Sequence, residues 1–294
     1  MPGLGISDQK RSARHDYYTL LHRPEKTLGP ASLVSSSPDA LLAEPESETG
    51  AEAVWEHIAS LGIDDRNCAV PETVDGSRVL LGYAPTALLD GCWLTSSVQV
   101  SRTHSLIGEI CLDAFFLECG MGSADRHHGT LYRTWLAALG LCVGLPTSRA
   151  FVLDSRFADE DFELALLGLR MGRANGVLLP EHLGFHAAMT CWGPPQAVRS
   201  AAGSSQGPFL AVHEPGSTEQ SRAEWLAKRS LRAYEEQGGP NWSRVVNGAL
   251  ALRDQRRVWL ASLRPKESPT AQQAMLQLIA NKLRHGFGFH RRVM

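Results

Sequence analysis

The chain has 294 residues, 43% of them apolar, and a formal net charge of −2. That length and apolar content suffice for a sizeable buried core. The near-neutral balance gives no electrostatic footprint for nucleic acid or an anionic membrane, and no stretch approaches the roughly 18 uncharged apolar residues of a membrane span.

Residues 1–50 read as an N-terminal extension. DYYTLLHRPEKTL is a plausible short helix, and PASLVSSSPDALLAEPESETG, rich in Ser, Pro and Glu, is expected to be partly mobile. The opening MPGLGISDQKRSARHDYY lacks the apolar core of a signal peptide. Six cysteines without Cys-x-x-Cys spacing argue for a reducing compartment. A cytoplasmic location is therefore expected.

From residue 51 to 294 the pattern is helical. AEAVWEHIASLG carries apolar residues at helical spacing and closes on Gly62. PTALLDGCWLTSSVQVSRTHSLIGEICLDAFFLE, residues 85–118, reads as one long helix or two broken near the serines. DRHHGTLYRTWLAALGL, DEDFELALLGLRMG, LPEHLGFHAAMTCW, SRAEWLAKRSLRAYEEQ, NWSRVVNGALALRDQRRVWLASL and TAQQAMLQLIANKLRHG continue the series. RVLLGYA and RAFVLD are the short strand-like exceptions. The expected fold class is all-α, a bundle whose sites are built from inward-facing residues of different helices.

Four polar residues fall on faces expected to be core. Glu118 completes the stripe Ile107, Cys111, Ala114. Glu181 heads Gly184, Phe185, Ala188, Trp192, and His128 heads Tyr132, Trp135, Leu139. His213 ends PFLAVH beside Phe209 and Leu210, if that segment is helical. An unpaired buried carboxylate costs several kcal/mol or shifts its pKa, so such residues normally have partners. Singly, each reads as a satisfied core histidine or a helix-end carboxylate. Together, two carboxylates and two histidines from separate helices read equally well as a set for iron or manganese. No Glu-x-x-His pair accompanies them. His182 and His186, spaced i, i+4, and the tail histidines His285 and His290 read more simply as solvated side chains.

DGCWL (90–94), ECGMGSADRHHGTLYRTWLAALGL (118–141), LLPEHLGFH (178–186) and FLAVH (209–213) resemble, in order and spacing, the iron-containing redox enzymes of heme-oxygenase-like fold. WSRVVNG and the ending KLRHGFGFHRRV are similar to that family's C-terminal region, so the likeness spans roughly residues 80–294. It implies a heme-oxygenase-like helical bundle over 51–294. It implies Fe(II), one or two ions, held by Glu118, His128, Glu181 and His213, with Asp90, His182 and Glu219 in reserve. It also implies O2 as co-substrate and a small amino-acid-like or fatty-acid-like metabolite as substrate, with no nucleic-acid or membrane partner and a homodimer left open.

The pattern departs from the family after His213. Ser217 stands where an Asp is expected, no second histidine follows, and Pro215-Gly216 interrupts the helix. A further carboxylate expected some three dozen residues before His128 falls near Cys92, with Asp90 the nearby candidate. Two functions follow from the resemblance: a non-haem iron oxidase or oxygenase, or a non-catalytic relative with an eroded site that serves as a binding or partner subunit. Haem binding would rest on fold analogy alone.

Overall fold

The computed structural model describes residues 12–22, 50–62, 74–99, 103–173, 176–203, 207–238 and 240–263. All of them belong to one compact unit that ends at Leu263. The stretch expected to be mobile and the helical pattern TAQQAMLQLIANKLRHG lie outside the described residues. Within them the chain is all-α, with no strand.

The helices, in chain order, are α1 (Ala13–His22), α2 (Ala51–Leu61), α3 (Gly76–Ala87), α4 (Leu106–Glu118), α5 (His128–Ala138), α6 (Arg149–Val152), α7 (Asp161–Met171), α8 (Leu179–Trp192), α9 (Gln196–Ala202), α10 (Pro208–Val212), α11 (Thr218–Glu236) and α12 (Trp242–Ser262). The two strand-like patterns are helical: RVLLGYA lies in α3 and RAFVLD begins α6. Their residues are buried on several sides (Leu80, Leu81, Tyr83 and Ala84 all face the interior), and that erases the amphipathic period. The segment 85–118 is not one helix, and among its described residues the break falls near the serines. It is the end of α3, a 3-10 turn over Cys92–Ser96, and α4.

Local chemistry explains the boundaries that matter for the site. Asp75 caps α3 by accepting from the Ser77 N–H, and Ser105 caps α4 by accepting from the Gly108 N–H. His127 caps α5 with its ring, its Nδ1 accepting from the Gly129 N–H at 3.0 Å. His127 thereby places His128 as the first helical residue. Between α4 and α5 the backbone turns through Gly120, Met121 and Gly122, all at positive φ.

The core is continuous. α8 packs against α12, α11 and α2; α11 also packs along α4, and α3 contacts α7, α9 and α5. α1 docks on α7 and inserts Tyr17, fully buried against Phe151 and Phe162. This N-terminal helix is thus part of the same core as α2–α12. Where α8 crosses α12, a Cβ on Gly184 would fall 1.7 Å from the Val245 carbonyl oxygen, and one on Gly248 would fall 1.9 Å from the Glu181 oxygen. The two backbones touch because neither position has a side chain.

Candidate metal centre

Two glycines bring the chemistry together. Gly91, at φ 81°, follows Asp90 in the turn after α3, and a Cβ there would sit 2.7 Å from the Glu118 Cβ. Gly129 follows His128, and a Cβ there would meet the Leu88 carbonyl oxygen at 2.7 Å. The turn Leu88–Gly91 can therefore lie against both the last turn of α4 and the first turn of α5. Asp90, Glu118 and His128 become neighbours as a result.

His128 Nδ1 lies 3.0 Å from Asp90 Oδ2 and 2.6 Å from Glu118 Oε2. Its hydrogen aligns with Asp90, so Glu118 Oε2, although closer, is buried with no hydrogen bond directed at it. His213, the residue that ends α10, brings Nε2 to 3.4 Å from the same Asp90 oxygen. The His128 and His213 rings meet edge to face with centroids 4.9 Å apart, and Phe209 packs on both. Asp90, Glu118 and His128 are buried, and His213 is half-buried.

Burial alone would favour a neutral His128 ring. The charge of Glu118, with the hydrogen bond and charge of Asp90, overcomes it and pushes its pKa up to about 10. Burial likewise works against an ionised Asp90, but the hydrogen bond from His128 and the nearness of both histidines hold this carboxyl below the usual carboxylate range. The cluster holds one proton between two carboxylates.

One donor atom each from Asp90, His128 and His213 lies within 4.8 Å of the others, a grouping able to hold a metal ion. First-row metals bind such nitrogen and oxygen donors at about 2.0–2.2 Å, so these donors would draw together to close on one ion. Two orphaned polar atoms fit the same idea, because Glu118 Oε2 and His213 Nε2 are both buried without a hydrogen-bond partner. A cation between them would satisfy both. All four residues line a small cleft, with room of about 20 Å³, whose other walls include Trp93, Phe209 and Gln220.

The other sequence candidates have different partners. Glu181 gives both carboxylate oxygens to Arg244 on α12, at 2.6 and 2.7 Å, and lines neither this cleft nor the one beside it. The touching backbones of α8 and α12 put those side chains within reach. His182 faces Ser97, with Nδ1 3.0 Å from the hydroxyl, and His186 Nδ1 accepts from the Trp93 indole at 3.4 Å. Both histidines are buried rather than solvated. Glu219 accepts from Arg126 at 2.8 Å and borders both clefts. Ser217 is the N-cap of α11, its hydroxyl accepting from the Gln220 N–H. The chain has restarted a helix at that point.

Asp90 lies in a turn, where no helical stripe marks a residue as inward. Arg244 and Arg126, the partners of Glu181 and Glu219, carried no local signal. No disulfide joins the described cysteines, and no described helix is long and apolar enough to cross a membrane. Comparison with family models, with curated proteins and with solved structures gave no match.

Proposed function

We propose that this chain is a non-haem-iron oxidase or oxygenase built on a heme-oxygenase-like helical bundle, using O2 against a small metabolite. The observation that carries this reading is the convergence of buried Asp90 and His128 with half-buried His213, and of Glu118 against His128. Two carboxylates and two imidazoles match the charge and donor preference of Fe(II). A bound Fe(II) would supply the redox chemistry that protein side chains lack.

The residues of the chain divide the remaining work. Asp90 and Glu118 provide the negative charge that balances a divalent cation in a poorly solvated site. His128 and His213 donate through Nδ1 and Nε2, the atoms that face Asp90. The proton on His128 Nδ1 must leave before that atom can ligate, so metal uptake releases a proton. Phe209 and Trp93 keep the adjoining walls apolar. With Glu181 paired to Arg244 and Ser217 engaged as a cap, the surviving donors suit one ion better than two.

A specific observation also favours the runner-up, a non-catalytic binding or partner subunit. His128 already stands within ion-pair distance of both carboxylates, so the cluster can persist without metal. Anaerobic Fe(II) titration followed by metal analysis separates the two. We expect about one Fe(II) per chain, as one set of N and O donors implies, falling to near none in Asp90→Asn and His128→Ala. Absence of iron under all conditions would leave the partner-subunit reading.

A further inference from the structure

Beside the candidate metal cleft lies a second, with room of about 220 Å³. The two share Leu117, His128, Val212 and Glu219. The second cleft is otherwise walled mainly by apolar groups, among them Met121, Leu131 and Pro208. Among the described residues, Arg126 is the one guanidinium or ammonium lining either cleft. It is paired with Glu219 at 2.8 Å, with side chains 61% and 29% exposed respectively.

This pair sits where a ligand's polar end would sit. An apolar cleft that reaches His128 can take the body of an amphiphile, and a lone guanidinium at its edge selects the sign of the head group. A guanidinium matches a carboxylate in shape, since its N–H groups fork toward two oxygens. Arg126 already receives one carboxylate, that of Glu219. The anchoring chemistry is therefore present in the protein, engaged by a group from its own chain. Displacing Glu219 demands little, because an exposed ion pair of this kind is worth no more than about fivefold in an equilibrium.

We infer that Arg126 is a specificity residue that anchors the carboxylate of an apolar monocarboxylate in the second cleft, with Glu219 as its built-in competitor. This deepens the functional reading above by assigning the end of the substrate remote from the metal. The apolar body would run along Leu117, Leu131 and Val212 toward His128, bringing a substrate carbon to the border of the two clefts.

The competitor role makes the test two-signed. Octanoate, 1-octanol and octylammonium are titrated calorimetrically into the metal-free wild type, Arg126→Gln and Glu219→Gln. Octanoate should bind wild type more tightly than octylammonium. It should weaken about tenfold in Arg126→Gln, where a charge-assisted hydrogen bond is lost. It should strengthen up to about fivefold in Glu219→Gln, where the competing ion pair is removed. Arg126→Lys should restore part of the binding, and octanol should respond to none of the substitutions.

Failure of octanoate to bind wild type, or equal binding to wild type and Arg126→Gln, would overturn the inference. So would weaker binding in Glu219→Gln. Thermal unfolding confirms that each variant folds, as expected for substitutions at the protein surface. Fe(II) titration of Arg126→Gln keeps the two readings separate. Iron bound normally with octanoate lost concerns the anchor, whereas iron absent from wild type concerns the metal centre and leaves the octanoate result standing.

Discussion

Asp90 and His128 lie 38 residues apart in the chain, yet Oδ2 of one is 3.0 Å from Nδ1 of the other. The same oxygen faces His213 at 3.4 Å, so Asp90 is the carboxylate common to both histidines. Asp90→Asn keeps the shape and removes the charge. Loss of a residue that merely orients a ligand lowers metal affinity by about 10–100-fold, and loss of the shared carboxylate should do at least as much. The check is competitive titration of Fe(II), or of Co(II) as a spectroscopic substitute, against a chelator. Wild-type affinity in Asp90→Asn would remove Asp90 from the site.

Gly91 tests whether backbone approach builds the cluster. Gly91→Ala should cost about 1–2 kcal/mol for a left-handed backbone and also push the Asp90 turn off Glu118, where the new Cβ would come to 2.7 Å. Gly122 is the control, since it has φ 87° and nothing within 4 Å of a built Cβ. Urea unfolding should show a loss in both variants, larger in Gly91→Ala. Only Gly91→Ala should also lose metal. Equal behaviour of the two would mean that the close approach is not needed.

The all-α class was legible because helical stripes dominate the sequence, and α2 runs where its apolar spacing and Gly62 put it, as α8 does where its stripe puts it. Glu118 and His128 were legible for the same reason, since each extends an apolar stripe at a helix end. Asp90 was not, because a turn residue has no period to break. Glu181 carries the same stripe signal as Glu118, yet its partner is a cation. A stripe reports that a side chain points inward, and the chemistry of what it meets comes from another helix. For Glu181 that helix is α12, whose Arg244 lies 63 residues away.

The Glu181–Arg244 pair is therefore expected to act in stability. It is bidentate, with the two side chains 20% and 35% exposed. Such a pair should couple by about 1 kcal/mol. A double-mutant cycle with Glu181→Ala and Arg244→Ala, read by urea unfolding, measures that coupling. Iron content of Glu181→Ala should match wild type. Loss of iron in Glu181→Ala, with no coupling to Arg244, would return Glu181 to the metal site.

Stability of the metal-free protein should peak near pH 6.5, because two buried histidines titrate in opposite directions from that point. Burial, reinforced by the neighbouring His182, lowers the His186 pKa to about 3. Between about pH 3 and the ordinary histidine value near 6.5, the unfolded chain binds a proton that the folded chain refuses. Stability therefore falls as pH drops through that window. His128 is the reverse case, raised to about 10 by the carboxylates that outweigh its burial. Its contribution is fully present below about 6.5 and is lost as pH rises toward 10, since there the folded chain holds a proton that the unfolded chain has released. Each histidine gives a limiting slope of about 1.4 kcal/mol per pH unit. Urea unfolding from about pH 5.5 to 8 reads both limbs while staying between the ranges where ordinary carboxylates and thiols titrate. His186→Gln should flatten the acid limb alone, and His128→Gln the alkaline limb alone. Saturating Fe(II), added anaerobically, should reverse the alkaline limb over the range where the ion stays soluble, because a ligated Nδ1 carries no proton and binding tightens as pH rises. An alkaline limb unchanged by iron would separate His128 from the metal.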